Sequence, residues 1–240
     1  MCGRFTLTRP DRLLDAHEGI EGVGDHGEIA LPGDLRPRYN IAPSQPVLVL
    51  PNTEPPGLAL HRWGLIPHWA SNETAGHRMI NARAETLASK PAFRQAFVRR
   101  RCLVLADGFY EWQVLGRAKT PIYIRRRDRR PFAFAGLWEV WRPPGREPIQ
   151  SCTIVTTEPC PLLAPIHDRM PVILRPEHVA PWIASTRRDP EQLAPLLAPI
   201  DEGLLETYPV SKLVNTPAFD DPACIERADA PLPGQPSLFD

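Results

Sequence analysis

The sequence predicts an α+β fold: an antiparallel, barrel-like β core with a few peripheral helices. Three observations point there. Short apolar segments of strand type outnumber helical ones and do not alternate with them regularly, as a parallel βαβ sheet would require. Proline fills 30 of 240 positions, well above the usual share of about one in twenty, and it breaks the apolar runs at short intervals. Hydrophobic residues make up 42%, enough for a packed core and too much for a disordered chain.

The elements follow in order. Residues 3–8 alternate weakly and begin a strand; Thr8-Arg9-Pro10 caps a short helix carrying Leu13 and Leu14. His17 to Pro37 is glycine- and acid-rich and reads as a loop. Val47–Leu50 and Leu58–His61 read as strands around a proline-rich turn. Ser89-Lys90-Pro91 opens a helix with Phe93, Ala96 and Phe97 on its apolar face, ending in Arg99-Arg100-Arg101, where a helix C-terminus favours cations. Cys102–Ala106 forms a strand that bends at Asp107-Gly108 into Phe109–Trp112. Ile122–Arg126 and Phe132–Val140 are expected to form a hairpin with Arg127–Arg130 at its tip. Thr153–Thr157 and Val172–Leu174 add short strands; late helices open near Pro176 and at Asp189-Pro190, with Gln192 three residues after the cap. No linker interrupts this pattern, so residues 1–227 read as one domain and 228–240 as a flexible proline-rich tail.

Net charge is zero, with 28 basic and 28 acidic residues, so no global field draws the protein to polyanions. All but three of the basic residues are arginine, the lysines being Lys90, Lys119 and Lys212, and arginine's planar fork suits bidentate phosphate contacts. A local basic face is compatible with overall neutrality. The five cysteines are scattered, with no C-x-x-C pair, which argues against a disulfide framework and a zinc site and fits a reducing cytoplasm. The histidines outside the 167 region have no metal-ligand spacing, and no metal or other cofactor is expected. Gly22-Val23-Gly24-Asp25-His26-Gly27 fits a dinucleotide pattern literally but neither follows a strand nor opens a helix. Neither a secretory signal nor an apolar run of membrane-spanning length is present, so no membrane association is expected.

Cys2 is the position with distinctive chemistry. A small second residue permits removal of the initiator methionine, which exposes an α-amine and a thiol on adjacent carbons. An α-amine with a pKa near 7.7–8.0 is roughly 10–20% neutral at pH 7, against about 0.04% for an ordinary lysine. It is therefore a ready Schiff-base former, and the neighbouring thiol can close a five-membered thiazolidine ring on the imine carbon. A second-position cysteine alone is weak evidence, because inert buried cysteines are common.

Seven ordered blocks strengthen it. Met1-Cys2-Gly3-Arg4-Phe5, Arg38-Tyr39-Asn40-Ile41-Ala42-Pro43, Trp63-Gly64-Leu65-Ile66-Pro67-His68-Trp69 and Asn81-Ala82-Arg83-Ala84-Glu85-Thr86 come first. Arg101-Cys102-Leu103 with Ala106–Trp112, Phe134–Glu139, and His167-Asp168-Arg169-Met170-Pro171 complete the set. Together they resemble the SOS-response-associated peptidase family, proteins that crosslink to abasic sites in DNA, from Met1 to about Thr216. Leu105 and Cys160 depart from the proline and asparagine usual in such proteins, without touching the chemical groups.

The resemblance implies a single-turnover crosslinking protein acting on abasic sites in single-stranded DNA, with lyase-like and possible autoproteolytic activity. It implies Cys2 as the crosslinking residue, with Asn81, Glu111 and His167 around it. Glu111 lies among aromatics, where desolvation would raise its pKa for proton shuttling. His167 is suited to protonating a departing hydroxyl, and Asn81 to orienting the amine or thiol without adding charge. Arg4, Arg83 and Arg169 are assigned to phosphates flanking the lesion, and the motif near Trp63 to stacking on bases. Gln235, Leu238 and Phe239 in the tail resemble a short motif for docking on the DNA sliding clamp. A monomer is expected.

Rival readings use the same residues. N-terminal-nucleophile glutaminases also start Met-Cys-Gly, but usually continue with isoleucine and carry an ammonia-accepting domain. A thiol peptidase would have His167 activate Cys2. A non-catalytic reader of modified bases would use the cleft with Cys2 merely structural.

Overall fold

The computed structural model describes residues 2–15, 19–20 and 35–228. Its strands are β1 (Arg4–Leu7), β2 (Arg38–Ile41), β3 (Pro46–Pro51), β4 (Ala59–Trp63), β5 (Asn81–Arg83), β6 (Arg101–Ala106), β7 (Gly108–Leu115), β8 (Ala118–Arg126), β9 (Phe132–Trp141), β10 (Ile149–Thr157), β11 (Met170–Pro171) and β12 (Leu205–Pro209). The helices are short: α1 (Arg94–Arg99), α2 (Pro176–Ile183) and α3 (Pro190–Leu193), with 3-10 turns between elements.

The α+β class with a barrel-like core holds. Strands β10, β4, β3, β6 and β9 pair in that order, and β9 pairs back onto β10 to close the barrel. The β10–β4 pairing is parallel and the other four are antiparallel, so the barrel is mixed. Beyond the barrel, β10 continues between β5, parallel to it, and β11, antiparallel to it. A second, wholly antiparallel sheet runs β12-β8-β7-β1-β2. Phe5 of β1 joins the two layers, its ring edge-on to Trp63 at 5.1 Å and to Phe134 at 5.9 Å between centroids. The opposite face of the second sheet buries Tyr110, Tyr123 and Tyr208 with Val214.

One sequence expectation fails. Segments β8 and β9 do not form a hairpin: β8 pairs with β7 and β12, whereas β9 pairs with β6 and β10. Burial explains the separation, because Phe132–Leu137 is buried at every position and therefore needs cover on both faces. The real hairpin is β7–β8, closed where Leu115 faces Ala118 around Gly116, whose φ of 60° suits a tight strand turn. Arg127–Arg130 instead link the two sheets, and Arg126 and Arg125 are ion-paired with Asp128 and Glu206.

Smaller departures are local. The first helix starts at Arg94 rather than at Pro91, since the Lys90 carbonyl accepts from both Phe93 N and Arg94 N in a tight turn. Val172–Leu174 contributes an isolated bridge from Ile173 to Phe134, while the strand proper is Met170–Pro171. The glycine pattern at 22–27 and the tail beyond Ala228 lie outside the described residues.

Two motif residues are structural. Arg101 is fully buried, its guanidinium donating to the carbonyls of Phe97, Trp182, Ala184 and Arg187 at 2.5–3.0 Å. It ties the ends of α1 and α2 to the barrel. Asp107 accepts from Thr6 Oγ1, Thr8 N, Thr8 Oγ1 and Arg9 N, fixing the exit of β1. Gly108 beside it has no room for a side chain, since a Cβ would lie 2.0 Å from Tyr123 Oη. That hydroxyl is itself held by Thr6 Oγ1 at 2.9 Å. Gly108→Ala is therefore expected to cost about 1–3 kcal/mol, the range for overpacking a rigid core; urea denaturation checks it, and an unchanged midpoint would refute the close packing.

Candidate active site at the amino terminus

Sheet register brings the predicted residues together. Strands β1 and β7 align Arg4 with Tyr110 and Phe5 with Phe109, so Glu111, the next residue of β7, lies level with Gly3 and beside Cys2. Asn81 opens β5, and its Nδ2 donates to the Cys2 carbonyl at 2.8 Å. Its Oδ1 is buried and, among the described residues, accepts from no donor. His167 ends a turn that begins at Cys160, with His167 N bonded to the Leu163 carbonyl. Gln113 of β7 donates to the Pro165 carbonyl at 3.3 Å, which anchors this turn two residues past Glu111.

Burial sets the electrostatics. Glu111 is only 3% exposed, and desolvation pushes its carboxyl up to about 7, against the opposing charge of the chain's amino terminus. The Cys2 thiol is completely buried; desolvation raises its pKa strongly, and the nearby Glu111 charge raises it further. Desolvation also lowers the pKa of His167, again with a contribution from the amino-terminal charge. Its Nδ1 meets two partners, the Arg169 N–H at 3.0 Å and Asp168 Oδ1 at 2.8 Å. The N–H suits a neutral ring protonated at Nε2, the carboxylate suits the imidazolium, and the lowered pKa favours the first.

Thus Cys2, Asn81, Glu111 and His167 form one cluster. In the unprocessed chain the aminothiol is not yet formed, and the thiol is buried. Cys2 sits within the main core cluster, and its backbone nitrogen is an amide while Met1 precedes it.

The arginines differ among themselves. Arg83 is exposed at the end of β5. Arg4 is partly buried and donates to the Val214 carbonyl at 3.2 Å. Arg169 is engaged, with Nη1 and Nη2 on the Glu85 carboxylate at 2.8 and 2.9 Å and Nη2 also on the Thr156 carbonyl at 2.7 Å. Trp63 is a core residue, 0% exposed, with Nε1 bonded to the Ile80 carbonyl at 2.9 Å. A ring buried on both faces has none to offer a base, which corrects its assignment. Trp69, in the same motif, is 59% exposed.

Sequence reasoning missed a groove of about 530 Å³ next to the site, lined by Gly3, Arg4, Pro43, Trp112, Lys119 and Asn215. Lys119 Nζ lies 5.7 Å from the Trp112 ring centroid, and Trp112 Nε1 donates to Asn215 Oδ1. Buried Asn40 holds the segment that carries Asn215, donating to the Val214, Thr216 and Phe219 carbonyls. The quoted blocks contained Asn40 and Trp112, but only the fold brings Lys119 and Asn215 to them. Among the described residues no cluster of three His, Cys, Asp or Glu side chains is placed to hold a metal ion, and no helix is long and apolar enough to cross a membrane.

Residues 1–217 match the profile of the SOS response associated peptidase (SRAP) family. "Abasic site processing protein YoqW" of Bacillus subtilis is 44% identical over 229 residues, covering 94% of this chain and 99% of the relative. "Abasic site processing protein HMCES" of Gallus gallus is 29% identical over 269 residues, covering 97% and 80%. A crystal structure of a protein from Bacteroides thetaiotaomicron superposes with a TM-score of 0.79 at 24% identity, covering 95% of this chain and all of that one. The chain belongs to the SOS response associated peptidase family.

Proposed function

We propose that this protein processes abasic sites in single-stranded DNA by capturing the ring-opened sugar on Cys2 after removal of Met1. The observation that carries the reading is the convergence of Asn81 on the Cys2 carbonyl with Glu111 and His167 at the same terminus. The names of the relatives supply the substrate class.

The chemistry balances without a cofactor. The neutral α-amine attacks the sugar aldehyde, and the carbinolamine loses water to give an imine. The thiol then adds across the C=N bond, sulfur to carbon and hydrogen to nitrogen, closing the thiazolidine. Glu111, with a carboxyl near 7, has both forms available to take the amine proton and return it to the departing hydroxyl. Neutral His167 can relay a proton through its ring nitrogens, and Asn81 Oδ1 offers an acceptor to an amine. Left open, the imine can lose the 3′ phosphate by β-elimination, which is lyase chemistry; ring closure competes with it.

Electrostatics favours this route over a thiol peptidase. A peptidase needs a thiolate, and burial beside Glu111 drives Cys2 toward the neutral thiol. Amine-first capture needs no thiolate. Arg4 and Arg83 serve as phosphate contacts in this reading, and exposed Arg83 is the more available. The protein acts once per molecule, as a monomer, in the cytoplasm on damaged DNA. Gln235, Leu238 and Phe239 lie outside the described residues and are proposed to dock on the sliding clamp; deleting the last six residues should then abolish co-migration with it.

Incubation with single-stranded DNA carrying one abasic site, followed by a denaturing gel, tests the function. A shifted, heat-stable band is expected, from protein whose intact mass lacks the initiator methionine. Ammonia release from glutamine or peptide cleavage, with no shifted band, would overturn the proposal.

A further inference from the structure

The position of Glu85 has a consequence for the arginines around the site. Arg169 is 14% exposed at its side chain and is pinned through Nη2 to the Thr156 carbonyl of β10. Glu85 is 53% exposed and lies in the 3-10 turn (Ala84–Thr86) that follows β5. The arginine is thus held by the sheet, whereas its anionic partner stands at the surface. The bidentate grip, 2.8 and 2.9 Å through two nitrogens and two oxygens, is the geometry that a guanidinium also offers to a phosphate. Arg83 adds its field to the same carboxylate, whose pKa is lowered by the Arg169 hydrogen bonds first and by both charges besides. Two of the three arginines assigned to DNA therefore converge on one glutamate.

We infer that Glu85 is a placeholder for a DNA phosphate: in the free protein its carboxylate occupies the Arg169 fork, and it swings out when the phosphate beside the lesion takes its place. The inference rests on the proposed DNA-binding reading and adds a positioning residue to it. Binding then becomes an exchange of one anion for another. Glu85 lowers affinity for DNA in general and keeps the arginine neutralised until a phosphate arrives in register. A carboxylate 53% exposed is suited to leave, since water solvates it once a phosphate takes over the fork.

The test uses the full-length protein and an intact single-stranded oligonucleotide without an abasic site, so that it is independent of covalent capture. Glu85→Gln should bind about 3- to 10-fold more tightly than the unsubstituted protein at low salt, the gain shrinking as salt screens the removed charge. Adding Arg169→Gln to Glu85→Gln should erase the gain. A purely structural role, in which Glu85 only props Arg169, predicts the opposite sign, and weaker or unchanged binding by Glu85→Gln with an unchanged melting temperature overturns the placeholder. If that variant melts early, Glu85→Ala and a salt titration of the unsubstituted protein decide: no tightening by Glu85→Ala at low salt overturns it as well. Absence of single-stranded DNA binding by every form would sink the parent reading, whereas binding that is indifferent to Glu85 sinks only this one.

Discussion

Cys2→Ser is expected to abolish the heat-stable DNA adduct, a loss of at least about 100-fold on a denaturing gel, while some strand cleavage at the abasic site remains. The reasoning separates the two functions of the residue. Serine at position two still permits removal of Met1 and retains the α-amine, so the imine can form and can lose the 3′ phosphate. A hydroxyl is a far weaker nucleophile than a thiol and does not trap the imine as a durable ring. The structure sharpens the expectation. The thiol is buried and disfavoured as a thiolate, so sulfur enters after the imine has formed beside it. A protein that retains Met1 should also give no heat-stable adduct, because its Cys2 nitrogen is an amide and its free amine and thiol stand on different residues, unable to close a thiazolidine. Intact mass and the gel read both outcomes. A heat-stable adduct from Cys2→Ser would refute the ring-closing step.

The candidate residues are more legible in the sequence than the strand pairing. Cys2, Asn81, Glu111 and His167 lie far apart along the chain, yet each stands in a block that reads locally; β1–β7 register, the Asn81–Cys2 bond and the Gln113–Pro165 bond bring them together. Pairing partners carry no such local mark. Segments β8 and β9 are adjacent and both apolar, so the sequence alone favours a hairpin; burial of β9 on both faces, a property of the closed barrel, sends it elsewhere. The short strands β2, β5 and β12 went unread because three to five residues show little periodicity. Trp63 shows the same limit. Sequence placed a tryptophan near a DNA site, but only packing against Phe5 shows that it supports β1 from within the core. Burial of Cys2 was invisible for a related reason, since exposure depends on what covers a residue.

Glu111→Gln is the substitution in which function and stability should move in opposite directions. In the folded protein desolvation holds the carboxyl near 7, whereas in the unfolded chain it returns to about 4.5. Between those values the folded state binds the additional proton, so the carboxyl favours folding fully below about 4.5, and that advantage is lost as pH rises through about 7. The difference corresponds to about 3 kcal/mol. Glutamine fills the same volume and never ionises. Glu111→Gln should therefore match the unsubstituted protein near pH 4 and exceed it by up to about 3 kcal/mol at pH 8, read from urea midpoints at the two pH values. The same change removes the proton shuttle, and the rate of adduct formation should fall about 10²- to 10⁴-fold, the usual contribution of a positioned acid–base group. The rate of the remaining reaction should lose the inflection near neutrality that the carboxyl imposes. Adduct formation at an unchanged rate would remove Glu111 from the mechanism, and a less stable variant at pH 8 would show that its carboxylate is a structural asset.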